Sequence, residues 1–301
     1  MKSSDPMLNI YRKNAINTQT TNICSFFLDK ALGIANYIAL VFPKFLLNTP
    51  EFSQTRKYLS KKAVESIIDF GEKGFPGVLV ETLAIFVNNS NRPTNTRIAS
   101  ITHRKFMMQS QKYIFDDKLP YWIIYRDKDF DDVCKKLDFN VFKVFRDRQI
   151  TNKLLASSGN IRVLKSRNIS DDGKNILDID GYDAYISYDD AKNLSVYNYL
   201  NCDNVYLTPN MTYKPRMIKK PKGCLVNGSL AVLIPKNGIN PTEEQLAFFS
   251  TQEYRNFYQT ARNFQTRSLN VDTCSVFFYG LLREKIKGSP IIEKLDYEEN
   301  S

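Results

Sequence analysis

Histidine occurs once in this sequence, at His103, and the five cysteines form no Cys-x-x-Cys pair. The residue types that build zinc sites and disulfide frameworks are therefore too few and too scattered. Cys24, Cys134, Cys202, Cys224 and Cys274 read as reduced thiols that pack as small hydrophobes. No uncharged apolar run reaches the roughly eighteen residues that a membrane span needs. The first residues, MKSSDPMLNIYRKN, contain no apolar signal core. Both absences argue against membrane insertion and secretion and predict a cytoplasmic protein. Acidic pairs exist at Asp171-Asp172 and Asp189-Asp190, but no Asp…Glu-x-Lys order accompanies them, and turn-forming aspartates account for both. Nuclease chemistry is not expected.

What is present is a chain of 301 residues, 43% hydrophobic and 25% charged, long enough for two ordinary cores. Lys and Arg number 42 against 32 Asp and Glu, a formal charge of +10 that favours a polyanionic partner, nucleic acid first.

Apolar residues recur at helical spacing over residues 22–36, at Ile23, Phe26, Phe27, Ala31, Ile34 and Ala35, with Thr20 or Thr21 as N-cap. The unbroken apolar run at 37–42 stops at Pro43 and reads as a strand buried on both faces, as in a parallel sheet. A second helix starts at Thr49-Pro50, and strands are expected over 64–70 and 78–87, flanking a glycine-rich turn at 71–77. One more strand and a helix are expected over 98–114. This alternation predicts an α/β layer with a mostly parallel sheet, but with too few strands for a complete doubly wound domain.

Beyond residue 115 the character changes to short β-like runs, at 122–125, 161–164 and 230–234, separated by Asn, Asp, Gly and Pro. An irregular α+β domain is expected there, ending in one helix or two abutting ones, with a capping box at Thr242 and Gln245 and a second cap at Ser250 with Glu253. Its charges cluster. Lys214, Arg216, Lys219, Lys220 and Lys222 crowd beside Tyr213 and before Asn227. A second group joins Arg255, Arg262, Asn263, Thr266, Arg267 and Asn270, and a third includes Arg146, Arg148, Lys165 and Arg167. Basic groups interleaved with Tyr and Phe suit phosphate tracking and base-edge contact.

The order over residues 22–87 resembles the stretch after the catalytic motif in gamma-class amino-methyltransferases. The segment Asn22-Ile23-Cys24-Ser25-Phe26-Phe27-Leu28-Asp29-Lys30-Ala31 is similar to the family's fifth motif, a helix walling the cofactor's adenine. Leu40-Val41-Phe42-Pro43 resembles the strand closed by proline, and Thr55-Arg56-Lys57-Tyr58-Leu59 the arginine-containing helix that follows. Asp69-Phe70-Gly71 through Phe75-Pro76-Gly77 looks like the eighth motif.

The resemblance implies the C-terminal half of a Rossmann-like methyltransferase sheet over 1–115. It also implies a target-recognition domain over 116–301, as in adenine-N6 DNA methyltransferases of bacterial restriction–modification systems. It implies S-adenosyl-L-methionine as cofactor with Ile23 and Phe27 against it, and Phe75 stacked on a flipped adenine. Double-stranded DNA would meet Arg148, Arg167, Tyr213, Lys214, Arg216, Lys219, Lys220, Asn227, Arg262, Asn263 and Arg267.

The family's Gly-rich cofactor turn and its Asn-or-Asp-Pro-Pro-aromatic tetrapeptide are both missing: Asp5-Pro6-Met7 lacks the second proline and the aromatic. No catalytic residue is expected on this chain, which alone should be silent. A split enzyme completed by an N-terminal subunit, a truncated product, and a start codon set too late are equally compatible readings. A cognate restriction endonuclease is a further expected partner. The alternative is a stand-alone sequence-specific DNA-binding protein.

Overall fold

The computed structural model describes residues 4–13, 15–77, 79–266 and 269–283. A short helix α1, Met7–Arg12, precedes α2, Ile23–Ile34. Asn22 caps α2 by accepting from the Cys24 N–H; neither Thr20 nor Thr21 is the cap, because the Thr20 hydroxyl is engaged by Glu51 and by the Asn22 N–H. Strand β1, Tyr37–Pro43, is followed by a 3₁₀ turn at Pro50–Phe52 and by α3, Ser53–Leu59. Strands β2, Ala63–Gly71, β3, Thr82–Asn88, β4, Asn95–Ser100, and β5, Lys105–Ser110, complete the first sheet, and α4, Gln111–Ile114, closes it.

The sheet order is β1-β3-β2-β4-β5, and only the β2–β4 pairing is parallel. This corrects the expected mostly parallel sheet. The reason lies in the connections: a parallel return needs a crossover of about a dozen or more residues, whereas the short loops after β2 and β4 contain no helix. Strands β1 and β2 do run in one direction, since both are antiparallel to β3, and α3 connects them. The expected strand at 78–87 begins only at Thr82; Leu79 and Val80 are exposed, and Val78 lies outside the described residues.

Strand β1 is corrected too. It lies at the sheet edge, and its burial alternates instead of being complete on both faces. Ile38 and Phe42 join Leu28 and Leu32 of α2, Leu59 of α3, and Ile67, Ile85 and Ile98 in one core. The opposite face carries the cross-strand row Val41, Ala84, Ile68, Ala99 and Phe106, of which Val41 and Phe106 are exposed.

After residue 127 come α5, Lys128–Lys136, β6, Leu137–Asp138, β7, Phe142–Phe145, β8, Ile161–Leu164, β9, Ala184–Ile186, and α6, Tyr188–Ala191. Next follow β10, Tyr206–Pro209, β11, Ile218–Lys219, β12, Cys224–Val226, β13, Leu230–Pro235, α7, Glu243–Phe248, α8, Gln252–Ala261, and β14, Leu281–Leu282. Their sheets are small and mixed, with orders β11-β10-β13-β7, β12-β8-β9 and β14-β6. The capping box at Thr242 and Gln245 forms as expected, whereas α8 is capped by Thr251 and not by Ser250. Stacked Phe130 and Phe257 join α5 to α8 in an aromatic core with Tyr254, Phe278 and Tyr279.

The run at 121–125 is buried throughout but is not a strand of any sheet. Its alternation has another cause: Tyr121 and Ile123 enter the aromatic core, while Trp122 and Ile124 enter the first core. The Phe115 and Trp122 rings stack with centroids 3.6 Å apart, across the boundary expected at 115–116. A buried segment between two cores still needs partners for its peptide groups. Asn263 supplies two of them, accepting from the Ile124 N–H at 2.9 Å and donating to the Trp122 carbonyl at 2.7 Å. It does so with φ +50°, which asparagine tolerates better than most residues.

Asn263→Ala should therefore leave two buried backbone groups unpaired and cost about 2–4 kcal/mol, read as a lowered urea midpoint. A loss below about 0.5 kcal/mol would show that the side chain does not support this segment.

Candidate nucleic-acid interface

Strands β1, β2 and β4 point their carboxyl ends to one edge of the first sheet, the edge at which α/β proteins hold ligands. Three charged side chains meet inside that edge. Lys44, directly after β1, sets its Nζ 2.7 Å from Oδ2 of Asp69 near the end of β2. Oε1 of Glu81, just before β3, lies 3.7 Å from the same nitrogen. All three are almost wholly buried. Asp69 also accepts from the Tyr125 hydroxyl at 2.6 Å and from the Gly71 N–H at 2.9 Å. Burial and the adjacent Asp69 carboxylate push the Tyr125 hydroxyl far above its ordinary pKa, so it stays a donor.

The cluster reaches into the C-terminal segment. Glu81 Oε2 accepts from the Thr266 N–H at 3.0 Å, the Thr266 hydroxyl bonds to Glu72, and the Thr266 carbonyl accepts from the Tyr213 hydroxyl at 2.6 Å. Around this line stand two loops of the sheet edge. The 72–81 loop leaves β2 at Gly71, whose φ of +56° and crowding by Thr102 exclude a larger residue, and it carries Phe75 half exposed. The β4–β5 turn carries exposed His103 and Arg104. Partial burial, helped by the positive charge of Lys44, lowers the His103 pKa, so its ring is neutral at neutral pH.

The residues expected to touch DNA separate into two sets. Arg148, Arg167, Tyr213, Lys214 and Lys219 are exposed. Arg167 lies over the Tyr182 ring at 4.6 Å, which aims its head. The others are engaged by the fold itself. Arg216 donates to the carbonyls of Ile169, Lys214 and Ser166, and Lys220 to those of Leu200 and Pro221; burial lowers both pKa values. Arg262 is buried and donates to Asn270, Asn263 serves residues 122–124, and Asn227 holds Ser229 in a turn. These five shape the loops on which the exposed set stands. Arg267 lies outside the described residues.

Ile23 and Phe27 lie together on the outer face of α2, 45% and 66% exposed. With Ile10, Tyr11 and Ile34 they line an apolar groove of about 490 Å³. Asp29 lies in the same groove. Its Oδ2 accepts from the Ile16 N–H at 2.9 Å, while its buried Oδ1 has no hydrogen-bond partner of normal geometry. Desolvation raises the Asp29 pKa, although the Ile16 and Asn17 amides oppose it. Arg56, in the arginine-containing helix, is buried and binds the carbonyls of Leu46 and Thr49, and burial lowers its pKa to about 10.

The charged cluster was not foreseen. Its signal was an acid inside each of two apolar strand runs, Asp69 and Glu81, because a buried carboxylate demands a partner. His103 carried no such signal.

Lys44→Met should leave two buried carboxylates facing each other and cost about 3–5 kcal/mol, with Asp69→Asn in the same chain recovering part of the loss in a double-mutant cycle. Additive losses would contradict a shared interaction. Asp29 makes a prediction of opposite pH sense to an ordinary paired carboxylate. Its raised folded pKa means the folded chain keeps a proton that the unfolded chain has released. Between the ordinary aspartate pKa and the raised value, stability should fall as pH rises, and Asp29→Asn should flatten that slope in urea titrations.

No protein-family model and no curated protein matches the chain. Solved structures do. The type IIG restriction endonuclease BpuSI is similar at 9% identity and a TM-score of 0.39, over 95% of this chain and 46% of that one. The ATP-dependent type ISP restriction-modification enzyme LlaBIII, bound to DNA, is similar at 9% identity and a TM-score of 0.41, over 91% and 27%. The chain thus spans less than half the length of either.

Proposed function

We propose that this chain is the recognition-bearing part of a site-specific adenine-N6 DNA methyltransferase of a restriction–modification system, acting in the cytoplasm. The observation that carries the reading is the convergence at one sheet edge. The Phe75 loop, the His103–Arg104 turn and the Tyr213–Lys214 loop meet around a buried Lys44–Asp69–Glu81–Thr266 connection. An exposed aromatic ring on a short loop can replace the stacking that an extruded adenine loses. The exposed Lys214, Lys219, Arg148 and Arg167 can follow the phosphates and fix the register of the duplex. The first sheet would be half of a Rossmann-like layer over 1–115, and the small mixed sheets of 116–301 would form the target-recognition domain.

S-adenosyl-L-methionine fits the α2 groove. Ile23 and Phe27 offer the flat apolar wall that an adenine ring takes, and Asp29 lies in the same groove. Bound there, the cofactor would supply an electrophilic methyl group. The chain's own residues would wall the adenine, hold the target base and grip the DNA. Aligning acceptor nitrogen and methyl group requires the absent tetrapeptide, so the chemistry depends on a further polypeptide segment.

Co-expression with a polypeptide carrying the Gly-rich turn and an Asn-Pro-Pro-Tyr-like tetrapeptide, encoded immediately upstream, should restore site-specific adenine methylation, and Phe75→Ala should weaken it. Absence of methylation in the wild-type pair would count against the reading. Alone, the chain should bind duplex DNA with an affinity that falls steeply with salt, and Lys214→Ala should reduce the slope of log K against log salt by about one. Tight sequence-selective binding without methylation would instead identify a stand-alone DNA-binding protein.

A further inference from the structure

A cavity of about 290 Å³ opens between the β4–β5 turn, the Tyr213 loop and the turn that follows α8. Its volume is near the lower end of ligand pockets, ~300–1,000 Å³, enough for one small planar ligand. Aromatic rings dominate the wall: His103 and Phe264 lie with centroids 4.9 Å apart, and Tyr213 stands 55% exposed at the rim. The Tyr213 ring is held in place by its hydroxyl bond to the Thr266 carbonyl, so it presents a face at little entropic cost.

Gln265 lines this wall together with the polar residues Thr212, Gln259, Arg262 and Thr266. It is 3% exposed, its Oε1 accepts from Asn48, and its Nε2 has no hydrogen-bond partner among the described residues. A buried amide that leaves its donors unused is costly unless a ligand uses them. Aromatic walls suit a planar ligand, and an unused donor suits one that carries an acceptor.

We propose that this cavity binds one unstacked nucleobase of a nucleic acid, with Tyr213 as stacking face and the Gln265 Nε2 as donor to a ring acceptor. The proposal rests on the DNA-binding reading above and adds to it a base-reading pocket separate from the Phe75 loop. Base–aromatic stacking tolerates every base, whereas a single donor distinguishes bases by where their acceptors lie. The pocket therefore combines a general grip with a preference.

The test needs no knowledge of the target sequence. Saturation-transfer NMR on the whole chain with the four deoxynucleoside monophosphates should label base protons more strongly than sugar protons, with unequal intensity among the four. Tyr213→Ala, at an exposed position, should weaken binding about 5- to 160-fold, the range of lost base–aromatic stacking. Gln265→Leu, checked for an unchanged melting temperature, should keep binding but level the preference. Sugar-only transfer, or wild-type behaviour in Tyr213→Ala, would overturn the proposal. The two readings fail differently: salt-sensitive duplex binding without base-proton transfer sinks only the pocket, and loss of duplex binding sinks the DNA-binding reading itself.

Discussion

Burying Lys44 between Asp69 and Glu81 fixes more of this molecule than any other contact. The ammonium can leave water only if its charge is answered at close range, and the two carboxylates can do so only when β1, β2 and β3 end at the same level. Tyr125 and Thr266 then satisfy the remaining lone pairs, and each belongs to a segment remote in sequence. The cluster thus sets the strand register, anchors the start and end of the 72–81 loop, and joins the first sheet to the chain beyond it. Apolar residues of the same volume would pack the edge without specifying which segment must arrive there.

The same economy of charge divides the basic residues. Arg216, Lys220 and Arg262 came to the interior because irregular loops have carbonyls that no helix or sheet satisfies, and long cationic side chains reach them. Arg148, Arg167, Lys214 and Lys219 stayed in water. A net charge of +10 is therefore not a measure of the surface available to DNA. Part of it stabilises the loops that display the rest, and Arg167 on Tyr182 shows how a neutral ring can orient an exposed cation without neutralising it.

Legibility in the sequence followed the range of the forces involved. Helix α2, strand β2 and the Thr242–Gln245 capping box were readable because side-chain spacing and capping act over a few residues. Strand β1 was found but misplaced at the centre of a sheet, since an unbroken apolar run also fits an edge strand whose outer side chains meet no partner. The run at 122–125 read as β-like, yet its side chains alternate between two cores, and its peptide groups are satisfied by a side chain 139 and 141 residues further along the chain.

By itself the sequence determined helix α2 and the approximate places of β1, α3, β2 and β3, that Ile23 and Phe27 share a helix face, and that cations gather with aromatics in the second part; where one strand was expected over 98–114, the chain forms two, β4 and β5. Those properties depend on periodicity, composition and local turn chemistry. Only the tertiary structure decided that β3 enters antiparallel between β1 and β2, that five of the expected DNA contacts serve the fold, and that His103, Tyr213, Phe264 and Gln265 surround one cavity. The physical reason is that charge burial and cavity formation depend on which distant segments meet, and no local pattern records that meeting.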